Sequence, residues 1–114
     1  MRTFLTKTLE SVDKQDASLT LSPDVDVREL DLKDIETIDI AFEKYTDGRG
    51  YTYARVLRTE LLYKGEIRAI GDVRSDQVRH MFQVGFDAVA LAESQDVNVA
   101  IKNVKRFRHQ YQPL

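Results

Sequence analysis

Strand-like and helix-like segments alternate along most of this chain. The segment "TIDIAFEKY" alternates and is rich in β-branched and aromatic residues, which indicates a strand. The segment that follows it places Ala54, Leu57 and Leu61 on one helical face. Further strands are predicted in "SLTLS", "KGEIRAIGD" and "FDAVALA", and further helices in "SDQVRHMFQVG" and "SQDVNVAIKNVKRF". The pattern predicts an α/β fold with a small parallel sheet of about four strands, built from repeated strand–helix units.

The handedness of the crossovers limits how such a sheet can be covered. Right-handed crossovers place every helix on the same face if the strands are laid down in one direction. Either the strand order reverses, as in a flavodoxin-like sheet, or the sheet is partial-barrel-like and another surface covers its second face. A second subunit or a partner protein could supply that surface, and we expect a homodimer.

The length of 114 residues predicts one domain. Residues 1–17 are polar and are expected to form a loose N-terminal arm or a short edge element, while residues 18–114 form the single α/β domain. The segment "DVDVRELDLKDI" predicts one short helix. Gly85 stands where the C-terminal cap of a helix belongs.

Composition excludes several classes of function. The net charge of −2 argues against nucleic-acid binding, which needs a basic surface. The chain has no cysteine, which excludes disulfides, thiolate redox chemistry and cysteine-ligated metals within it. No histidine pair has the spacing of a metal site. No apolar run approaches the length of a membrane span, and we expect a cytoplasmic protein.

Three predicted loops, "YTDGRGY", "GDVRSD" and "AESQD", follow strands and should meet at the carboxyl edge of the sheet, where ligands bind in open parallel sheets. In the first loop, two glycines permit unusual backbone angles and close approach of a ligand. A helix begins there, so amide groups and an arginine fork face the loop. The loops therefore predict a site for a small oxyanion such as sulfite, sulfate or phosphate. The candidate residues are Asp47, Gly48, Arg49, Gly50, Tyr51, Arg55, Arg58, Gly71, Asp72, Arg74, Asp76 and Gln77.

A purely structural interpretation of the same residues is also open. Glycines after a strand often only make the turn, and Asp47 can cap the helix. Arg49 could then pair with Asp47 or Asp72 and have no other role.

The segments "FEKYTDGRGYTYARVLR", "GEIRAIGDVRSDQ" and "VGFDAVAL", in this order and spacing, resemble a family of small bacterial proteins of unknown function. Its members are described as probable oxidoreductases involved in sulfite reduction, commonly encoded beside the sulfite reductase of cysteine biosynthesis. The similarity extends over about residues 30–91, and Val84 stands where many members have cysteine.

The resemblance implies a role in sulfur assimilation, and three functions follow as hypotheses. The first is an accessory protein that binds sulfite reductase or a small oxyanion and has no cofactor of its own, since the reductase carries the redox groups. The second is a small enzyme of that pathway, an oxidoreductase in the family's description, which uses Asp47, Arg49, Asp72 and Arg74. The third is a structural subunit without a ligand site. No catalytic residue is implied by the resemblance.

Overall fold

The computed structural model describes residues 2–44 and 48–111, with side chains described as far as Arg108. It contains a single sheet packed against helices. The strands are β1 (Arg2–Thr6), β2 (Ser11–Lys14), β3 (Leu19–Leu21), β4 (Thr37–Phe42), β5 (Glu66–Gly71) and β6 (Ala88–Val89). The helices are α1 (Arg49–Thr59), α2 (Val78–Val84) and α3 (Val97–Tyr111). The α/β class predicted from the alternation is confirmed.

The sheet has six strands rather than about four, in the order β2-β1-β6-β5-β4-β3. Strands β3 to β6 are parallel and lie side by side in chain order. Strand β1 is antiparallel to β6, and β2 extends the sheet beyond β1. Within the described sheet the parallel strands do not reverse their order, so the flavodoxin-like alternative is wrong.

The helices cover one face of the sheet, as right-handed crossovers require. Alternate residues of β4, namely Ile38, Ile40 and Phe42, are buried on this face. They belong to the same core cluster as residues from all three helices, which include Leu57, Met81 and Val104. Helix α2 ends at Gly85, whose φ of 124° confirms the predicted glycine cap.

The second face is crossed by the segment that joins β2 to β3. These strands form opposite edges of the sheet, which would lie about 24 Å apart if the sheet were flat. Residues 14 and 19 are only five steps apart, and a fully extended chain of that length spans at most about 18 Å. The sheet must therefore curl so that its edges approach each other. Two contacts mark the crossing: Lys14 Nζ lies 2.9 Å from Glu66 Oε2, and the Ser18 amide donates to Thr37 Oγ1 at 2.9 Å.

This curl alters the argument for a second subunit. The homodimer was predicted because one face was expected to be bare, whereas residues 15–18 cross that face and a small cluster of Phe4, Ala88 and Ala90 is buried on it. The homodimer remains a prediction, but an uncovered second face no longer supports it.

Residues 1–17, expected to be a loose arm or a short edge element, contain β1 and β2 in the described part. Phe4 and Leu5 of β1 are buried on opposite faces of the sheet. The predicted short helix after Pro23 is only a 3₁₀ turn over Val27–Glu29. Among the described residues, no helix is both long and apolar enough to cross a membrane.

Candidate functional site

The loops that follow β4 and β5 begin side by side at the carboxyl edge of the sheet. Phe42 and Gly71, the last residues of these strands, are paired in the ladder. The Asp72 amide then donates to the Phe42 carbonyl oxygen at 2.7 Å. Helix α1 starts at this edge, and so does the 3₁₀ turn over Ser75–Gln77 that leads into α2. Arg49 and Arg74 therefore belong to the same edge, where the sequence places the oxyanion site.

The glycines around Arg49 have different roles from the one predicted. Gly48 has ordinary helical angles, φ −79° and ψ −6°, and Gly50 does not have a positive φ either. The prediction that these two glycines supply unusual backbone angles is wrong. A Cβ at Gly50 would lie 2.4 Å from the Phe42 ring, whereas a Cβ at Gly48 would meet nothing within 4 Å. Gly50 therefore lets α1 pack closely on the end of β4.

Gly71 is the glycine of this edge that does need an unusual conformation. Its φ is +93°, and a Cβ there would lie 2.3 Å from the Phe42 carbonyl oxygen. The positive φ turns the chain out of β5, so that the Asp72 amide can bond to the end of β4.

Both arginines of the edge contact carboxylates. Arg49 Nη1 lies 3.0 Å from Asp24 Oδ1, and these side chains are 53% and 90% exposed. Arg74 Nε donates to Asp72 Oδ1 at 2.9 Å. Arg49 thus contacts a residue that follows β3, outside the three loops in which the site was predicted. The exposed Arg49–Asp24 pair is of a kind that contributes little to stability, so a bound anion can compete with Asp24 for this guanidinium at low cost.

Tyr51 forms the aromatic part of this edge. Its ring lies 5.4 Å from that of Phe42 and 4.9 Å from that of His80, measured between centroids. Burial raises the pKa of the Tyr51 phenol, and the negative charge of Asp76 raises it further. The phenol is therefore neutral at physiological pH and can donate a hydrogen bond. Asp76 itself is exposed, and Gln77 is half-buried beside it.

The structure separates Arg58 from the other candidates. It lies nine residues beyond Arg49, which is about 14 Å along α1 toward the opposite edge of the sheet. Its guanidinium donates to the carbonyl oxygens of Gly85 (3.1 Å), Tyr63 (2.9 Å) and Gly65 (2.8 Å) and to Asp87 Oδ2 (2.6 Å). Arg58 therefore ties together the loops that precede β5 and β6.

Asp87 completes this cluster, which sequence reasoning missed. Besides Arg58, its Oδ2 accepts a hydrogen bond from the Ile67 amide at 3.0 Å, and its Oδ1 lies 3.1 Å from Lys7 Nζ. The signal was present in the segment "VGFD", which carries part of the family resemblance. Gly85 and Asp87 of this segment both accept hydrogen bonds from Arg58, so they have a structural role.

Two other candidates do not join the edge cluster. Arg55 is exposed on α1, and its backbone carbonyl accepts a hydrogen bond from Thr59 Oγ1. Asp47 lies outside the described residues. The predicted enzyme site of Asp47, Arg49, Asp72 and Arg74 is therefore described only in part. Among the described residues, no group of three histidine or acidic side chains is arranged to hold a metal ion.

Fold and edge together define a small α/β protein with two arginines and the start of a helix at the carboxyl ends of its parallel strands. A family model for a bacterial protein of unknown function (DUF934) matches residues 18–114, and the chain belongs to this family. No curated protein and no solved structure shows significant similarity to this chain.

Proposed function

We propose that this protein binds a small oxyanion at the carboxyl edge of its sheet and acts as an accessory protein of assimilatory sulfite reduction. One observation supports the binding proposal: helix α1 and the 3₁₀ turn that follows Arg74 begin side by side, at the ends of β4 and β5. Two guanidinium groups and the first amides of a helix thereby share one edge.

The electrostatics of α1 support an anion there. The helix has eleven residues, and its first turn contains Arg49 and no acidic residue. First-turn amides have no partners within a helix, and the helix dipole is positive at this end. A cation in this position is unfavourable, and Asp24 offsets this in part, so a bound anion would offset it further. Sulfite, sulfate and phosphate all match amide and guanidinium donors.

The assignment to sulfite reduction rests on the family resemblance and not on geometry. The chain has no cysteine, so a redox partner would supply the electron-carrying groups. The accessory function implies a cytoplasmic protein that contacts sulfite reductase. Deletion of the gene should then lower sulfite reductase activity in cells, and unchanged activity would count against this assignment.

Oxyanion binding is tested by titrating ¹⁵N-labelled protein with sulfite, sulfate and phosphate, with chloride as the control for ionic strength. Saturable shifts are expected at the amides of residues 48–51 and at Arg74. Arg49→Ala should weaken binding about tenfold or more, as removal of a hydrogen bond to a charged group does. Arg55→Ala is the matched control, since it removes an exposed arginine of the same helix. Equal affinity in both variants would refute the proposed site.

A further inference from the structure

The curled sheet encloses a cleft on the face opposite the helices. Its volume is about 370 Å³, within the lower range of small-molecule sites. Residues 15–17 of the crossing segment form part of its wall. The side chains important for its chemistry are Arg2, Phe4, Asp16, Thr20, Asp39 and Arg68.

A buried ion pair lies against this cleft. Arg68 is 3% exposed and Asp39 is 6% exposed. Arg68 Nε donates to Asp39 Oδ1 at 2.6 Å, and Nη2 donates to Asp39 Oδ2 at 3.2 Å. The guanidinium also lies over the Phe4 ring, 4.4 Å from its centroid. The desolvation cost of such a pair offsets much of its electrostatic attraction. The net stabilisation by the pair therefore does not by itself account for two buried charges at this position.

Arg68 retains donor capacity toward the cleft. A guanidinium has five N–H groups, and Asp39 accepts from only two of its nitrogens. The third nitrogen, Nη1, lies 3.6 Å from Glu66 Oε1, which is beyond hydrogen-bond distance. Glu66 forms an ion pair with Nη1 at this distance, and an acceptor in the cleft would add a hydrogen bond that Glu66 does not make.

The cleft continues to the carboxyl edge of the sheet. A second cavity of about 550 Å³ is lined by Gly71 and Ala90 and shares Arg2 with the first. The two cavities therefore adjoin at Arg2, near the carboxyl ends of β5 and β6. This is the end of parallel strands at which ligands bind in barrels and open sheets.

We propose that the cleft binds a small zwitterion of the amino-acid class, with its carboxylate between Arg68 and Arg2 and its ammonium group toward Asp16. The charges of the lining decide the class of ligand. Arg2 and Arg68 are balanced by Asp16 and Asp39 in the cleft, and Glu93 adds a carboxylate in the adjoining cavity, so a dianion such as phosphate would bring excess negative charge to this lining. A ligand that carries both charges satisfies both kinds of group. This site is separate from the proposed oxyanion site and shares only Gly71 with it.

The test is a calorimetric titration of the full chain with each of the twenty amino acids, with acetate and propylamine as single-charge controls. At least one amino acid should bind with a saturable heat, and both controls should bind at least tenfold more weakly. Arg2→Ala should weaken the binding about tenfold or more. Arg2 is an exposed residue of β1, so this variant is expected to fold. Arg55→Ala, outside the cleft, should bind as the wild type does.

Two results would overturn the proposal. The first is an absence of saturable binding for all twenty amino acids at millimolar concentration. The second is unchanged affinity in Arg2→Ala and also in Arg68→Lys, which keeps the charge of the buried pair but removes the planar fork. Sulfite titration of Arg2→Ala separates the two proposed sites, because loss of amino-acid binding with retained oxyanion shifts assigns the defect to the cleft.

Discussion

Replacement of Gly50 by alanine should destabilise the protein through a clash with one ring. The added Cβ would lie 2.4 Å from Phe42 Cζ and 2.5 Å from Cε2. Phe42 is 2% exposed and packs between Tyr51 and Phe86, with ring centroids 5.4 and 6.0 Å away. The ring therefore cannot move aside without disturbing its neighbours.

The magnitude follows from two opposing effects. Alanine in a helix is about 0.5–1 kcal/mol more favourable than glycine. Overpacking of a well-packed core costs about 1–3 kcal/mol, and the confined ring places this site in the upper half of that range. The net loss is expected to be about 1–2.5 kcal/mol, which lowers the Tm of a domain of this size by about 4–10 °C.

Thermal and urea unfolding of Gly50→Ala and Gly48→Ala provide the assay. Gly48 has helical angles, and a Cβ added there would meet no atom within 4 Å, so Gly48→Ala should change stability by no more than about 0.5 kcal/mol. Phe42→Leu should suppress part of the Gly50→Ala penalty in a double-mutant cycle, because the smaller side chain leaves space. Equal stability of the two alanine variants would refute the reasoning.

Three further predictions concern other parts of the fold. Asp87→Ala should lower the unfolding free energy by about 2–3 kcal/mol in urea denaturation, since it leaves Arg58 Nη2 and the Ile67 amide without their carboxylate acceptor; a loss below about 0.5 kcal/mol would contradict this role. Burial raises the pKa of Tyr51 above its ordinary value of 10.0, so the stability it contributes is fully present below pH 10 and is lost as the pH rises through the higher folded-state pKa. Tyr51→Phe should therefore flatten the alkaline decline in stability, measured by urea unfolding across that pH range, and an unchanged slope would count against it. Asp39→Asn should cost about 3–5 kcal/mol because it leaves a buried guanidinium without its carboxylate; near-wild-type urea stability would show that the pair is not needed.

The parallel part of the sheet and its helices could be predicted because their signals are local. Strands such as β4 have large apolar residues at alternate positions, and α1 repeats its apolar residues at helical spacing. The glycine at position 85 marked the end of α2 for the same reason, since a positive φ favours that residue type wherever the helix lies.

The first hairpin could not be predicted in the same way. Strand β2 lies at an edge, and none of its four residues is buried, so its sequence carries no strong pattern. The curl of the sheet depends on which strands form its edges, which is a property of the whole chain. Without that curl, nothing in the sequence indicated that Arg68 would be buried opposite Asp39.

The candidate site was predicted in outline and differs in its contacts. The edge follows from the parallel topology, so Arg49 and Arg74 could be placed together from the order of strands and helices alone. The partner of Arg49 on the loop after β3 depends on side-chain directions that spacing does not give. Arg58 was assigned to the edge only because it follows Arg49 closely in sequence, although a helix carries it away at about 1.5 Å per residue.

The neighbourhood of β1 and β6 has a consequence for how the chain folds during synthesis. The Lys7 carbonyl accepts a hydrogen bond from Arg108, 101 positions later, and Lys7 also bonds to Asp87, 80 positions later. Lys7 therefore cannot complete these contacts until the chain has been synthesised through Arg108, and β1 cannot pair with β6 until residues 88 and 89 are present. Such remote contacts slow folding, because the chain loses the entropy of a long closed loop before it gains their stabilisation.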